Sequence, residues 1–210
     1  MGWADEVTKT LTPSTIGGAE ETDTIYTDAD IAALINKNEI KKAMFNALVL
    51  GDDGTGKSGI VMHYVSKLPK KVLIIDIDGG SDAIITSYYK ENKNMVVINP
   101  IVTIGGIKDG FIDYKSTFAK LKALVQYVRD HEDQFSAIVL DGLSTMLSYA
   151  EYQTRIDKNI APDGGMQLRY WLNRNKIFIE ILEVVKSINL DKFFIGHKNL
   201  VVKDEKDASV

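Results

Sequence analysis

The chain has 210 residues, 45% apolar and 26% charged, enough to bury a hydrophobic core, which excludes a mostly disordered protein. It contains no cysteine, so disulfides, thiolate zinc sites and a cysteine nucleophile are excluded, and its three scattered histidines argue against a histidine metal site. With 25 Lys and Arg against 29 Asp and Glu, the net charge is −4, which gives no global reason to coat nucleic acid or anionic lipid.

No apolar run approaches the ~18 residues of a membrane span, and the N-terminus (MGWADEVTKT) carries acids instead of a leader's apolar stretch. The expected location is the cytoplasm, with no membrane partner. Residues 1–24 read as a flexible tail, rich in Thr, Gly and acids without an apolar period, and 25–210 as one domain. A small helix is expected over 28–38. Phe45–Leu50 reads as a buried strand and Lys57–Leu68 as a helix with Ile60, Val61, Tyr64 and Val65 on its apolar side. Val72–Ile77 and Met95–Ile98 read as further strands. Residues 115–133 carry the stripe of an amphipathic helix, and Phe135–Leu140 is another buried strand. Helices over 142–157 and 166–187 follow, separated by the loop Asn159–Gly165. The second would turn Leu168, Trp171, Leu172, Ile179, Leu182 and Val185 inward. Phe193–Gly196 is the last strand. Strands alternating with helices predict an α/β three-layer sandwich with a mainly parallel sheet.

The most informative segment is Gly51-Asp52-Asp53-Gly54-Thr55-Gly56-Lys57-Ser58, which satisfies G-x-x-x-x-G-K-[ST] between a strand and a helix. Its glycines let successive backbone N–H groups curl around a phosphate, and the helix N-terminus adds a positive dipole there. Lys57 would bridge the β- and γ-phosphates and the Ser58 hydroxyl would coordinate Mg²⁺, so ATP and Mg²⁺ are the expected ligands. Ser136–Asp141 is an apolar strand ending in an acid, the Walker B arrangement, which places Asp141 to support the metal through water.

Asp76-Ile77-Asp78-Gly79 also spells the D-x-x-G of GTPases. Only 19 residues separate Lys57 from Asp76, however, and one helix, a turn and a strand consume them, leaving no room for a switch loop. His197 and Leu200 stand where an N-K-x-D guanine reader would need Asn and Asp. The set GDDGTGKS (51–58), LIIDIDGG (73–80), SAIVLDGLSTM (136–146) and FFIGHKNL (193–200) instead resembles the RecA-like P-loop ATPases over about residues 45–200. Within these it is most like phage-type members of the Sak single-strand-annealing kind. That resemblance implies that Asp78 polarises the attacking water, in a position where the family more often has Glu. It implies that His197 senses the γ-phosphate, and that the protein works as a homo-oligomeric ring or filament. Lys57, Asp78, Asp141 and His197 are thus the candidate catalytic residues.

Arg155, Arg169 and Arg174 fall within twenty residues, with Lys158 and Lys176 and with Tyr152, Tyr170 and Trp171 interleaved. Guanidinium groups on phosphates and aromatic faces under bases would form a track for single-stranded DNA. The resemblance places a DNA-contacting loop at 158–166. After His197 the sequence runs KNLVVKDEKDASV, where RecA-like cores continue with more strands; this departs from the family pattern. The expected function is Mg²⁺-dependent ATP binding and hydrolysis on single-stranded DNA in recombination or replication. A small-molecule kinase with an arginine-bearing lid, or a non-hydrolysing nucleotide-binding assembly protein, are the alternatives.

Overall fold

The structure is a computed structural model that describes residues 44–105 and 111–197, together with Thr27 and Ala29. The chain divides into two units, Met1–Ala43 and Met44–Val210. The expected tail and the helix over 28–38 lie outside the described residues, Ala29 of the latter apart. So does all that follows His197.

Among the described residues of the second unit, five strands form one sheet: β1 (Asn46–Gly51), β2 (Lys71–Asp76), β3 (Met95–Ile98), β6 (Phe135–Asp141) and β7 (Asp191–His197). Their spatial order is β1-β7-β6-β2-β3 and every pairing is parallel. Parallel neighbours require crossovers, and the helices α1 (Lys57–Val65), α2 (Ser81–Tyr88), α3 (Tyr114–Asp130), α4 (Leu143–Asp157) and α5 (Leu168–Ser187) supply them. A two-stranded antiparallel pair, β4 (Thr103–Ile104) with β5 (Phe111–Ile112), precedes α3.

The side-chain alternation of the central strands divides the core in two. Leu73, Ile75, Ile138 and Leu140 pack on one face against Leu121 and Val125 of α3, Met146 of α4, and Ile181 and Val185 of α5. Val72, Ile74, Ala137 and Val139 pack on the other against Val61, Met62 and Val65 of α1, with Ile84 and Ile85 of α2 beside them. The result is the expected three-layer α/β sandwich with a mainly parallel sheet. Central strands covered on both faces need apolar side chains at nearly every position, which is why these runs read so clearly in the sequence.

Three local expectations change. Among the described residues β1 is an edge strand and not a buried one, and Leu48 and Leu50 are 58% and 56% exposed. On α1, Met62 completes the inner face while Ile60 and Tyr64 are exposed. On α5 the inner face is carried by Ile181 and Val185, with Phe178, Leu182 and Val184 beside them, whereas Leu168, Leu172 and Ile179 are exposed. α2 and the β4–β5 pair were not expected.

Candidate functional site

Strand order and register build the site. β7 lies between β1 and β6, with Gly51 opposite His197, Asp141 opposite Ile195, and Asp76 opposite Asp141 on the next strand. Four strands therefore end side by side at the carboxyl edge of the sheet, where loops can gather around a ligand. A cleft of about 330 Å³ opens there, lined by the loop from Asp53 through Gly59 together with Asp78, Asp141 and His197.

The loop following β1 curls as its glycines allow. Gly54 and Gly56 have φ of 73° and 80°, the left-handed region that a side chain would strain. Gly56 caps the N-terminus of α1, leaving the helix's first N–H groups without side-chain partners and facing the cleft. The Thr55 hydroxyl donates to the Asp52 carbonyl at 2.8 Å and tightens the turn. Lys57 is almost fully buried, and its Nζ donates to the carbonyls of Gly51 (2.9 Å) and Asp52 (2.7 Å). An ammonium has three donors, so one remains for an anion in the cleft. Ser58 follows, half-buried on the cleft wall.

On the opposite side, the Asp141 carboxylate is buried and accepts from the Ser81 hydroxyl at 2.7 Å. Its neighbour Asp76 is also buried and accepts backbone N–H groups of Gly79 and Ser81, both at 2.9 Å. Burial raises the Asp76 pKa above 3.8; these amide bonds oppose the shift and the nearby Asp141 charge reinforces it. Asp76 thus fixes the turn into α2, and Asp78 is the acid that reaches the cleft. Asp78 Oδ2 lies 3.0 Å from His197 Nε2, and Asp53 Oδ1 lies 2.7 Å from His197 Nδ1. His197 is held in place by Ser144. The Ser144 hydroxyl accepts from the His197 N–H (2.9 Å) and donates to the His197 carbonyl (3.1 Å). Gly142, with φ 106°, presses against Asp78: a Cβ there would stand 2.8 Å from Asp78 Oδ1.

Lys57, Ser58, Asp78, Asp141 and His197, chosen from the sequence, thus line one cleft. Gly51 and Asp52 serve it from behind, through carbonyls that hold Lys57. Sequence reasoning missed Ser81, Gly142 and Ser144, and left Asp53 without a role. The pattern Gly-Gly-Ser at 79–81, a small hydroxyl opening a helix after two glycines, was the available signal for Ser81.

The cationic segment is arranged otherwise. Arg155 donates to Glu151 Oε1 at 2.8 and 3.0 Å and to the carbonyls of Ala161 (3.2 Å) and Gly164 (2.7 Å), bracing the loop after α4. Arg174 lies over the Trp171 ring and 3.9 Å from Glu151. Arg169 stacks on Tyr170, and it is exposed together with Lys158 and Lys176.

Glycine curl, buried lysine, hydroxyl and strand-end acids on a parallel sheet together define a P-loop ATPase site. A family model described as an AAA domain matches residues 44–209, and the chain belongs to that family of nucleotide-binding ATPases. No curated protein matches the chain at a significant level. Among the described residues no helix is long and apolar enough to cross a membrane.

Proposed function

We propose that this protein binds Mg²⁺-ATP in the cleft at the sheet edge and hydrolyses it to ADP and phosphate. The observation that carries the reading is the convergence of Lys57, Ser58, Asp78, Asp141 and His197, from four strand ends, on one cleft. Backbone N–H groups of residues 54–58 and the free donor of Lys57 receive the phosphates. The donor set suits magnesium: the Ser58 hydroxyl and the Asp141 carboxylate are hard oxygen ligands lining the same cleft and would hold the ion together with phosphate oxygens and water. Magnesium, when bound, neutralises charge developing on the β- and γ-phosphates. Asp78 orients a water and takes its proton as the water oxygen bonds to the γ-phosphorus. The bond from that phosphorus to the bridging oxygen breaks, releasing ADP. His197 holds Asp78 from behind and faces the γ-phosphate position.

Steady-state ATP turnover tests this on wild type and Lys57→Ala, each checked for folding by thermal melting. The expected loss is on the order of 100-fold or more. Unchanged turnover in a folded Lys57→Ala protein would overturn the reading, as would a folded wild type that binds no Mg²⁺-ATP.

Within the AAA domain family, the reading as a RecA-like, phage-type recombination or replication protein working as a homo-oligomer rests on the ordered motif set. Single-stranded DNA is the proposed partner. Exposed Arg169, Lys158 and Lys176 support it, with Arg169 over the Tyr170 ring, Arg174 over the Trp171 ring and Arg155 bracing the loop between the helices. Filter retention of labelled single strands should rise with ATP; equal, negligible retention with and without nucleotide would count decisively against it.

A further inference from the structure

The phosphate loop of this chain carries two acids where a polyanion is to bind, and one of them is engaged. Asp53 sits at the loop's crest with its side chain 90% exposed, yet its carboxylate reaches His197 Nδ1 at 2.7 Å. The same ring presents Nε2 to Asp78 at 3.0 Å. A neutral imidazole donates from one nitrogen only, so both contacts are hydrogen bonds when the ring carries two protons. The arrangement follows from topology. Gly51 and His197 are register partners on adjacent strands, and two residues beyond Gly51 the chain brings Asp53 over the end of β7. The Ser144 hydroxyl fixes the His197 backbone through both its N–H and its carbonyl, so the ring works from a fixed base.

We infer that Asp53, acting through His197, makes the cleft weigh a nucleoside triphosphate against a diphosphate; this rests on the proposed nucleotide site. Two phosphates fill the curl of amides, and Lys57 spans the second and the third. The third extends toward the wall formed by Asp78, Asp141 and His197. There it meets a ring whose Nδ1 already faces the Asp53 carboxylate at 2.7 Å. One N–H cannot serve both acceptors fully, and the incoming phosphate also repels the Asp53 carboxylate. A triphosphate therefore binds at the expense of the Asp53–His197 pair, whereas a diphosphate leaves it intact. Asp53 is a specificity-determining residue that restrains triphosphate binding, and release of its side chain marks the triphosphate state on the loop's outer surface. The charge of Asp53 also weakens the triphosphate somewhat more than the diphosphate by direct repulsion, so the effect that runs through His197 is the part of the ratio lost when His197 is replaced.

Calorimetric titration with ADP and with a non-hydrolysable ATP analogue, both with magnesium, tests this in wild type, Asp53→Asn, His197→Gln and the double variant. Asp53→Asn should raise analogue affinity over ADP affinity by about two- to fivefold, the range of an exposed ion pair. In the His197→Gln background the same substitution should change the ratio clearly less, only the direct repulsion being left. An unchanged ratio in Asp53→Asn, or a change of the same size with and without His197, overturns the inference while leaving the nucleotide site standing. Failure of folded wild type to bind either nucleotide overturns both. Asp53 is exposed and His197 ends a strand, so folding of the variants is expected and is checked by thermal melting.

Discussion

At the carboxyl edge of the sheet, side-chain bonds join residues 53, 60 and 119 positions apart: Ser144 to His197, Ser81 to Asp141, His197 to Asp78. Between α4 and α5 the bonds are local, four residues from Arg155 to Glu151, nine from Arg155 to Gly164, one from Arg169 to Tyr170. The two polar regions are set by different physics. The cleft exists only once strand order and register exist, so its geometry is as rigid as the sheet that presents it. The cationic segment is shaped by helical spacing and by one arginine that gathers loop carbonyls, so it can loosen without disturbing the sheet.

The largest effect that separates the regions is expected at Gly142. Its left-handed backbone and its contact with Asp78 leave no room for a methyl group, which would also stand 2.9 Å from Ile77 Cβ. Gly142→Ala should cost about 2 kcal/mol of stability through backbone strain. It should also push Asp78 from its place, lowering kcat on the order of 100-fold while nucleotide affinity changes far less. Urea unfolding together with separate measurement of kcat and nucleotide Kd checks this. A parallel fall in both would show that Gly142 supports the whole cleft and not Asp78 in particular.

Arg155→Ala should be milder and confined to its own region. Removing the guanidinium leaves the Ala161 and Gly164 carbonyls and the Glu151 carboxylate without their donor, a loss of about 1–2 kcal/mol. Amide exchange should quicken over residues 158–167, while ATP affinity stays at the wild-type value. A nucleotide affinity that falls with Arg155→Ala would make the two regions one coupled unit.

The same contrast explains what the sequence disclosed. The span from β1 through α1 was legible because a glycine-rich loop of fixed spacing has one use between a strand and a helix. β2 and β6 were legible because strands covered on both faces have apolar side chains throughout. α2 was not: among its residues only Ser81 is buried, so Ile84 and Ile85 gave too short a stripe. The two-residue strands β4 and β5 carry no period at all. The inward face of α5 was set too near its start, because Leu168 and Leu172 fit a helical stripe that the structure leaves in solvent. The candidate acids and His197 could be picked from strand ends, but Asp53 could not be matched to His197. That pair depends on β7 lying next to β1, which no local pattern records.

The smallest effect tests a third, purely local device, away from both regions. Asp113 caps α3, accepting from the Ser116 hydroxyl at 2.6 Å and from the Ser116 N–H at 3.0 Å. These bonds, the hydroxyl's first and the amide's second, favour the ionised carboxylate and hold its pKa below 3.8. In the window between that lowered value and 3.8, the unfolded chain binds more protons than the folded one, so stability rises with pH. The contribution is complete above 3.8 and disappears as pH falls through the folded-state pKa. Asp113→Ala should therefore lower the urea midpoint slightly at neutral pH, with the gap to wild type closing in acid. Because the cap is built from residues three apart, the variant should leave Asp78, His197 and the kcat of the cleft untouched. A gap that stayed constant into acid would mean that the aspartate acts through its shape in the turn and not through its charge.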